Sequence, residues 1–449
     1  MLKRVLVANR GEIALRIIRS LREMDVETVL VYSEPDKNSL PVITANYAVC
    51  IGPKEPVNSY LNENAIIETA IHYGCEAIHP GYGFLSENAE FAKKCEENNI
   101  IFIGPSHEVI AMMGNKQAAR KLMIENNVPV VPGSEDVLES VEEAYECAEK
   151  IGYPVLIKAS SGGGGKGMRR VYGRDELEKA YLTAKSEAKA AFGDDSVYME
   201  KLIINPRHIE LQVLADHYGN VISLGERNCS IQKNNQKLLE EAPAFGVSEA
   251  TVKKLNDTAI LAAKAAGYNS VGTVEFVMDD DENYYFIEMN TRIQVEHPVT
   301  EMVTGIDLVR WQIRVAAGMK LAMDKAEVKG HSIECRINAL TSGVITNLHI
   351  PSGYGVRVET HLFTGYEITP FYDPMIAKVI VYGDTRLEAV RRLRRVLEEL
   401  VIEGVKTNEE FMHILTYQKD FIRGYYDTSF YQKNEKNINQ LIKVGKHGA

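Results

Sequence analysis

The chain has 449 residues, which at roughly 150 residues per domain indicates about three domains. Hydrophobic residues make up 45% and charged residues 25%, values that argue against a collagenous, disordered or disulfide-stapled chain. The 51 Lys and Arg residues against 62 Asp and Glu residues give a net charge of −11, so general affinity for nucleic acid or anionic membrane is not expected. No run approaches the roughly 18 apolar residues of a membrane span.

The cysteines and the N-terminus indicate where the protein works. The six cysteines contain no CxxC pair and no regular framework, which is typical of reduced thiols in a cytoplasmic enzyme. Residues 1–24 are basic and amphipathic enough for a transit peptide, but the apolar run VLVA followed by a helical pattern favours a first strand and helix.

The first 113 residues alternate between strand and helix patterns, which predicts a parallel α/β domain. The predicted strands are 5–8, 28–32, 77–79 and 100–103, and the predicted helices are 12–24, 62–73 and 88–98. Ser106 is expected to cap the helix that carries Lys116.

The pattern changes after residue 150. A small α+β unit is predicted from strands 155–158, 168–172 and 197–200 with a helix at 175–191, followed by strands 208–215 and 221–225, a helix at 248–266 and a hairpin at 272–290. Near the end, a helix at 385–400 has a predicted apolar face and a basic flank. The face is Leu387, Val390, Leu393, Leu397 and Leu400, and the flank is Arg391, Arg392, Arg394 and Arg395. For this flank we favour a solvated surface over a docking surface.

A glycine-rich loop at 160–168 contains the spacing G-x-G-x-x-G, but the strand-like MRRVY that follows does not suit a dinucleotide fingerprint. Gly167 stands where a P-loop needs Ser or Thr, so that motif is excluded as well. A hairpin whose unhindered amides close over phosphates, as a mobile cover, is favoured over a flexible surface turn. Lys116 and Lys158 suit phosphate in that context.

Alternate polar residues mark the segment 284–300. If the segment is extended, one face carries Glu288, Asn290, Arg292, Gln294 and Glu296, while the other carries Met289, Ile293 and Val295.

The hairpin geometry sets Glu275 nearly opposite Glu288. Two such carboxylates repel each other unless a cation lies between them. Oxygen ligands that include Asn290, with no Cys or His nearby in the sequence, favour Mg2+ or Mn2+ over zinc. A surface ladder of salt bridges is the alternative, and the flanking Phe276 and Phe286 weigh against it.

Carboxylates on a hairpin, a glycine-rich cover and two upstream lysines together describe an ATP-grasp nucleotide site. The segments HPGYGFLSEN (79–88), EAKAAFG (187–193) and EMNTRIQVEHPVTEM (288–302) closely resemble biotin carboxylase, the ATP-grasp component of biotin-dependent carboxylases. The resemblance covers nearly the whole chain from Lys3, and the last of these segments is the most specific.

The resemblance implies an α/β and α+β multidomain fold. It has a Rossmann-like N-terminal domain at 1–114, an ATP-grasp domain at 115–330 with a mobile lid at about 132–203, and a C-terminal biotin carboxylase domain at 331–449. The implied reaction joins ATP and bicarbonate as carboxyphosphate and passes the carboxyl group to N1 of biotin. The expected setting is the first half-reaction of acetyl-CoA carboxylase in fatty acid synthesis.

The resemblance also implies residue roles. For ATP the matching residues are Lys116, Lys158, Gly163, Gly164, Gly165, Met168, Glu200, Lys201, Leu202, Ile203, His208, Gln232, Asn235, Gln236, Glu275 and Glu288. For Mg2+ or Mn2+ they are Glu275, Glu288 and Asn290, and for bicarbonate they are Lys237, Arg292, Gln294, Val295 and Glu296. Glu296 would be the general base, Arg336 would stabilise the biotin enolate, and Tyr82 would contact biotin; the catalytic set is Glu296, Arg292, Arg336 and Lys237.

The partners are expected on other chains. The one Met-Lys pair, Met319-Lys320, sits at a helix end rather than on a hairpin tip, so biotin is expected as a substrate on a separate biotin carboxyl carrier protein. A carboxyltransferase subunit and a homodimer are also implied.

Alternatives are a subunit of a pyruvate or other acyl-CoA carboxylase, and a non-catalytic ATP-binding regulatory paralogue. Another ATP-grasp ligase with an amine acceptor conflicts with Arg336 and with RIQVEHP.

Two places depart from the family pattern. Asn235 stands where many relatives have a histidine near the ribose, and residues 340–353 read LTSGVITNLHIPSG where the family usually has Glu-Asp-Pro and a Pro-Ser-Pro-Gly turn. The second departure concerns the packing behind Arg336.

Overall fold

The computed structural model describes residues 2–134, 136–160 and 167–447. Gly162, Gly163, Gly164, Gly165 and Lys166 of the glycine-rich loop lie outside the described residues. In the described part of the chain, no helix is both long and apolar enough to cross a membrane. The six cysteines are all unpaired thiols.

A parallel five-stranded sheet forms the first region, as the alternating pattern predicts. Its strands are β1 (Arg4–Val7), β2 (Glu27–Ser33), β3 (Tyr47–Gly52), β4 (Ala77–His79) and β5 (Ile101–Phe102), in the order β3-β2-β1-β4-β5. The helices are α1 (Gly11–Glu23), α2 (Leu40–Thr44), α3 (Glu63–His72), α4 (Ala89–Glu97) and α5 (His107–Gly114), with 3-10 turns at Glu34–Asp36 and Pro56–Asn58. The pattern does not predict β3, an edge strand whose side chains are exposed or half-buried.

Ser106 caps α5, because its hydroxyl accepts from the Val109 amide, and does not cap the helix that carries Lys116. Lys116 opens its own helix, α6 (Lys116–Glu125), which Asn115 caps by accepting from the amides of Gln117 and Ala118. Ser106 is therefore a helix cap, but of the helix before the one that carries Lys116, since Asn115 caps a new helix that begins at Lys116.

A three-stranded antiparallel sheet follows, in the order β7-β6-β8. Its elements are α7 (Val141–Ile151), β6 (Val155–Ala159), β7 (Met168–Val171), α8 (Arg174–Phe192) and β8 (Val197–Lys201). One face of this sheet packs on α7 and α8 through a core that includes Ile157, Val197 and Tyr181.

The centre of the molecule is an eight-stranded antiparallel sheet in the order β13-β12-β9-β10-β11-β14-β19-β17. Its strands are β9 (Arg207–Ala215), β10 (Val221–Lys233), β11 (Gln236–Ala242), β12 (Ser270–Met278), β13 (Tyr284–Asn290), β14 (His331–Asn338), β17 (Val356–Thr360) and β19 (Met375–Gly383). The predicted strand 221–225 continues to Lys233, and β11 is not predicted. Two short pairs flank the sheet: β15 (Gly343–Val344) with β18 (Glu367–Ile368), and β16 (Asn347–His349) with β20 (Val401–Glu403).

Helices cover this sheet. They are α9 (Glu249–Ala265), α10 (His297–Thr304), α11 (Leu308–Ala316), α12 (Arg386–Glu399), α13 (Glu409–Leu415), α14 (Lys419–Arg423) and α15 (Phe430–His447). On α12 the predicted apolar face is wrong at Leu387, which is 52% exposed, whereas Ala389 and Val396 are buried. Of the predicted basic flank, Arg391 is exposed, but Arg394 lies over the Tyr417 ring.

The chain has three regions, which share apolar cores. The N-terminal region extends from β1 to α5, the nucleotide region from α6 to α11, and the C-terminal region from β14 to α15. Ile17 of α1 packs in one apolar cluster with Leu214 of β9 and Trp311 of α11, so the first sheet and the central sheet have a common interior. A second cluster joins Leu239 of β11 to Val379 of β19 and Leu393 of α12. The residues between these cores are therefore held by all three regions.

Candidate active site

A cavity of about 900 Å³ opens where the three regions meet. It is lined by all five cationic side chains of the predicted site, which are Lys116, Lys158, Lys237, Arg292 and Arg336. The other predicted site residues that line it are Tyr82, Met168, His208, Gln232, Asn235, Gln236, Glu275, Glu288, Asn290, Gln294, Val295 and Glu296. The cavity thus gathers these cations together with carboxylates such as Glu275, Glu288 and Glu296.

Register places a row of charged side chains across four neighbouring strands. Arg227 of β10 pairs with Glu210 of β9, Glu210 pairs with Glu275 of β12, and Glu275 pairs with Glu288 of β13. The predicted opposition of Glu275 and Glu288 is therefore confirmed. Because the cross-strand neighbours in such a row lie about 5 Å apart, the three carboxylates need nearby cations.

Lys237 is the cation at the centre of this row. Its Nζ lies 2.5 Å from Glu210 Oε2, 2.7 Å from Glu296 Oε1 and 2.9 Å from Glu275 Oε1. Burial alone would lower the pKa of the Lys237 ammonium, but the three carboxylates outweigh burial and raise it well above its ordinary value. Lys237 is therefore charged over the whole physiological range of pH.

Glu296 joins the two ends of the cavity. Its Oε1 accepts from Lys237, and its Oε2 accepts from Arg336 Nη2 at 2.9 Å. Burial would raise the pKa of Glu296, but Lys237, Arg336 and Arg227 hold it well below its ordinary value. Glu296 is thus an ionised carboxylate held between Lys237 and Arg336.

Arg336 is held from its other side by Glu240. Arg336 Nε donates to Glu240 Oε1 at 2.7 Å, and Nη2 lies between the two carboxylates, 2.6 Å from Glu240 Oε1 and 2.9 Å from Glu296 Oε2. Burial raises the pKa of Glu240 to about 7, although Arg336 opposes that rise. A register shift in the β10–β11 pairing, between Ile231/Leu239 and Gln232/Lys237, inserts one extra residue into β11 and brings Lys237 to the face that carries Glu240.

Glu275, Glu288 and Asn290 are the residues predicted to bind the metal. Glu275 Oε1 accepts from Asn290 Nδ2 at 2.9 Å and from Gln294 Nε2 at 2.7 Å. In the described part of the chain no side chain donates a hydrogen bond to Glu288. Burial and the charge of Glu275 raise the pKa of Glu288, which is the situation that a divalent cation between the two carboxylates would relieve. The residues present therefore fit Mg2+.

The expectation that no histidine lies near these carboxylates is wrong. His208 of β9 brings its Nε2 to 3.0 Å from Glu275 Oε2. The sequence separation between β9 and β12 conceals this neighbour, because strand order and not chain distance sets the contact. The His208 Nδ1 lies 3.1 Å from Gln232 Nε2.

Two residues of the site were not singled out from the sequence. Glu210 is fully buried and touches both Lys237 and Arg227. Arg227 is also fully buried and donates to Glu210, Gln212 and Gln294 at 2.5, 2.6 and 2.8 Å. The alternation of His208, Glu210 and Gln212 with apolar residues was a signal for β9, but no local pattern marks Arg227.

The strand that carries the alternating polar residues ends earlier than the alternation predicts. β13 stops at Asn290, and the chain then turns before α10 begins at His297. Arg292 bends toward Asn290 and the partly exposed Glu87, with Nη2 to Asn290 Oδ1 at 3.0 Å and Nε to Glu87 Oε2 at 2.9 Å. The polar side chains still meet in the cavity, but on a turn rather than on one strand face.

Four of the residues predicted to bind ATP lie away from the cavity. Glu200, Lys201, Leu202 and Ile203 do not belong to the cavity lining. Lys201 Nζ donates instead to the carbonyls of Gly152 and Tyr153, each at 2.9 Å, and Glu200 forms an ion pair with Lys158. Gly163, Gly164 and Gly165 lie outside the described residues.

Both departures from the family pattern have a local structural account. Asn234 and Asn235 have φ of 51° and 63° and form the two-residue turn between β10 and β11, where asparagine is well tolerated. In the 340–353 segment, β15 and β16 form short antiparallel pairs. Behind Arg336, Asn408 Nδ2 donates to the Arg336 carbonyl at 3.0 Å. The altered segment leaves Arg336 anchored.

The fold and the site define an ATP-grasp enzyme. Three family models match the chain: "Biotin carboxylase, N-terminal domain" over residues 1–110, "Carbamoyl-phosphate synthase L chain, ATP binding domain" over 115–324, and "Biotin carboxylase C-terminal domain" over 334–433. Biotin carboxylase 1 of Bacillus subtilis is 52% identical over 441 residues, which cover 96% of this chain and 98% of that protein.

Solved structures agree. The biotin carboxylase domain dimer of Hydrogenobacter thermophilus 2-oxoglutarate carboxylase, in complex with MgADP, ADP and bicarbonate, matches with a TM-score of 0.93 and 48% identity, covering 98% of this chain and 99% of that chain. A Campylobacter jejuni biotin carboxylase complex has the same TM-score and identity, covering 96% of this chain and 99% of that one. The chain belongs to the biotin carboxylase family of ATP-dependent ligases. The predicted family and fold class are confirmed.

Proposed function

We propose that the chain carboxylates biotin on a carrier protein, with ATP and bicarbonate as co-substrates. The observation that carries this proposal is the double contact of Glu296, whose two oxygens bind Lys237 at 2.7 Å and Arg336 at 2.9 Å. One carboxylate thereby joins a cationic pocket suited to bicarbonate with a guanidinium suited to a biotin enolate.

The nucleotide end of the cavity suits triphosphate. Lys116 and Lys158 lie at this end and would bind the phosphates as point charges. Glu275, Glu288 and Asn290 would hold Mg2+, or Mn2+ in its place, which when bound neutralises charge on the phosphates during transfer. His208, Gln232 and Gln236 line the same end, and we assign them to nucleotide binding together with Met168.

The first chemical step belongs to the turn after β13. Bicarbonate would lie against Lys237, Arg292 and the backbone of Gln294 and Val295, with the fork of Arg292 binding two of its oxygens. Glu296 would take the bicarbonate proton, and the resulting oxyanion attacks the γ-phosphorus of ATP, with ADP as leaving group. The products of this step are carboxyphosphate and ADP.

The second step uses the other contact of Glu296. Carboxyphosphate would separate into CO2 and phosphate, the phosphate would remove the N1 proton of biotin, and N1 would attack CO2. Arg336 would stabilise the enolate oxygen that forms on the ureido ring, and Tyr82 would border the ring. A closed cavity is needed because water hydrolyses the intermediate.

We further infer a role in acetyl-CoA carboxylase, in the cytoplasm, with a biotin carboxyl carrier protein and a carboxyltransferase subunit as partners. Named biotin carboxylases of full-length similarity support this setting. The 2-oxoglutarate carboxylase small subunit of Hydrogenobacter thermophilus, 49% identical, and the biotin carboxylase subunit of a pyruvate carboxylase, 49% identical, support the alternative acceptors. The dimer named for the Hydrogenobacter domain supports a homodimer here.

ADP release tests the reaction. The wild-type chain with MgATP and bicarbonate should show turnover that free biotin stimulates, and omission of bicarbonate should abolish it. A folded sample with no biotin-stimulated turnover would favour the regulatory paralogue. The acceptor follows from incorporation of labelled bicarbonate into acetyl-CoA, pyruvate or 2-oxoglutarate when the chain is mixed with the carrier and transferase subunits of each carboxylase.

A further inference from the structure

Lys378, on β19, is a lysine with no exposed surface that lies directly behind the cavity. It is among the largest fully buried side chains of the protein, and it is not part of the cavity lining. In register, Lys378 pairs with Arg336 on β14 and with Glu359 on β17. A buried ammonium is costly unless specific partners compensate it, so its contacts indicate its role.

The first contact of Lys378 is with the turn that precedes α10. Lys378 Nζ donates to the Val295 carbonyl at 2.9 Å. Because the peptide bond is planar, fixing that oxygen also fixes the orientation of the Glu296 amide and the position of the Glu296 Cα atom. The adjacent Gln294 carbonyl is held in the same way, by His297 Nδ1 at 2.8 Å.

This turn needs side-chain anchors because regular structure does not hold it. β13 ends at Asn290 and α10 begins at His297, so the intervening residues have no strand or helix ladder. Glu296 occupies the N-cap position of α10 and its side chain makes no cap hydrogen bond, since it faces Lys237 and Arg336 instead. Besides weak backbone hydrogen bonds from the amides of His297 and Val299, each at 3.3 Å, the carbonyls of this turn are held by Lys378 and His297.

The second contact of Lys378 leads to the opposite wall of the cavity. Lys378 Nζ lies 3.1 Å from Glu12 Oε1, in the first turn of α1. The same Glu12 oxygen accepts the hydroxyl hydrogen of Tyr82, which lines the cavity. One ammonium from the C-terminal region thus connects the turn at Val295 with the Tyr82 hydroxyl of the N-terminal region.

We propose that Lys378 is a positioning residue, which sets the Gln294–Glu296 turn for bicarbonate and, through Glu12, the Tyr82 hydroxyl for biotin. The inference rests on the proposed function, because it assigns a task to the bicarbonate and biotin ends of that site. Lys378 touches neither substrate. Its effect is on the geometry of the groups that do.

The kinetic test compares Lys378→Met with wild type. Methionine keeps the length and apolar body of the side chain and removes the charge. We expect the KM for bicarbonate to rise at least about tenfold, because one charge-assisted hydrogen bond is lost, while the KM for MgATP stays within about threefold. Glu12→Gln, which leaves the Val295 contact in place, should raise the KM for free biotin and leave that for bicarbonate unchanged. The exposed Lys406→Met is the matched control and should leave all three values unchanged.

A measurement that does not depend on turnover distinguishes a positioning role of Lys378 from a merely structural role. Amide hydrogen exchange in a peptide covering 291–297 should accelerate in Lys378→Met, while a peptide from β12 keeps its wild-type rate. Unchanged exchange at 291–297, or a parallel rise in the KM values for MgATP and bicarbonate, would overturn the positioning role. If Lys378→Met does not fold, the double variant Lys378→Met/Glu12→Gln removes both buried charges. The exchange rate at 291–297 and the KM values for bicarbonate and MgATP are then measured in that variant. A wild-type chain without bicarbonate-dependent turnover would instead remove the proposed function.

Discussion

Glu275 and Glu288 face each other in register across β12 and β13, and their surroundings shift the two carboxyl pKa values in opposite directions. Burial would raise the pKa of Glu275, but Lys237 and His208 hold it well below its ordinary value. For Glu288, burial and the neighbouring Glu275 both raise the pKa. Glu275 is thus satisfied by protein donors, while Glu288 is the carboxylate whose charge depends on an added cation.

This asymmetry predicts the behaviour of Glu288→Gln. The variant should need at least about tenfold more Mg2+ for half-maximal ADP release, because it loses one charged oxygen ligand of the metal. The exposed Asp280→Asn, in the turn of the same hairpin, is the control and should keep the wild-type Mg2+ dependence. A Glu288→Gln titration that overlays the wild-type curve would exclude Glu288 as a ligand.

Glu296→Gln tests the general base. Glutamine keeps the shape of the side chain but cannot take a proton, so bicarbonate-dependent turnover should fall about 10²–10⁴-fold. Nucleotide binding, measured by calorimetry with ADP, should stay within about threefold, since Glu296 contacts Lys237 and Arg336 and not Lys116 or Lys158. Wild-type rates in this variant would rule out the role of Glu296 as base.

Arg336→Met separates the two half-steps. Biotin stimulation of ADP release should fall about 10²-fold, because the charge that would stabilise the enolate is gone. The slower, biotin-independent hydrolysis of ATP should persist. Since removal of Arg336 also leaves Glu240 without its main cation, the informative quantity is the ratio of the two rates in one sample. A ratio equal to that of the wild type would contradict the assignment.

A buried cluster away from the cavity predicts acid sensitivity. Glu241 accepts from His331 Nε2 and from Arg386 Nε, each at 2.7 Å. Burial would raise the pKa of Glu241, but His331 and Arg386 lower it from 4.5 to about 2. Because the folded-state pKa lies below the unfolded value, the stabilisation is complete above about pH 4.5 and is lost as the pH falls toward 2.

Glu241→Gln should therefore cost about 3–5 kcal/mol of stability at pH 7, and the difference from wild type should shrink by about 2 kcal/mol as the pH is lowered from about 4.5 to about 3. Thermal midpoints measured between pH 6 and pH 3 give this difference. Glu399→Gln, which removes the exposed pair with Arg395, is the control and should cost less than about 1 kcal/mol at every pH. A difference independent of pH would show that Glu241 is not ionised in the folded protein.

The sequence predicts much of this architecture because local patterns and cross-strand geometry agree. The strand at 77–79, the helix at 62–73 and the opposition of Glu275 and Glu288 are all predicted from short stretches of chain. The family resemblance supplied the residues that gather in the cavity. Neither source indicated that Lys237 and Glu240 share a face, because that depends on one extra residue in the pairing of β10 and β11.

The contacts that the sequence does not predict join residues that are far apart in the chain. Arg227, Glu210 and Lys378 are buried charges whose partners lie on other strands or other regions, and a single buried charge has no periodic signal. The end of β13 at Asn290 was concealed for a related reason. Polar residues at alternate positions continue through the turn, and their convergence comes from anchors such as the contact of Lys378 with Val295.

The pairing of β11 with β14 has a consequence for dissecting the protein. Four residue pairs, from Leu239↔Cys335 to Ala242↔Ser332, join a strand of the nucleotide region to a strand of the C-terminal region. Cutting the chain between these strands and removing β14 would leave one edge of β11 unpaired while β10 still holds the other, and an open edge of this kind recruits foreign strands and aggregates. The C-terminal region thus shares one sheet with the nucleotide region. The nucleotide end and the biotin end of the cavity can therefore be studied separately only by point substitution.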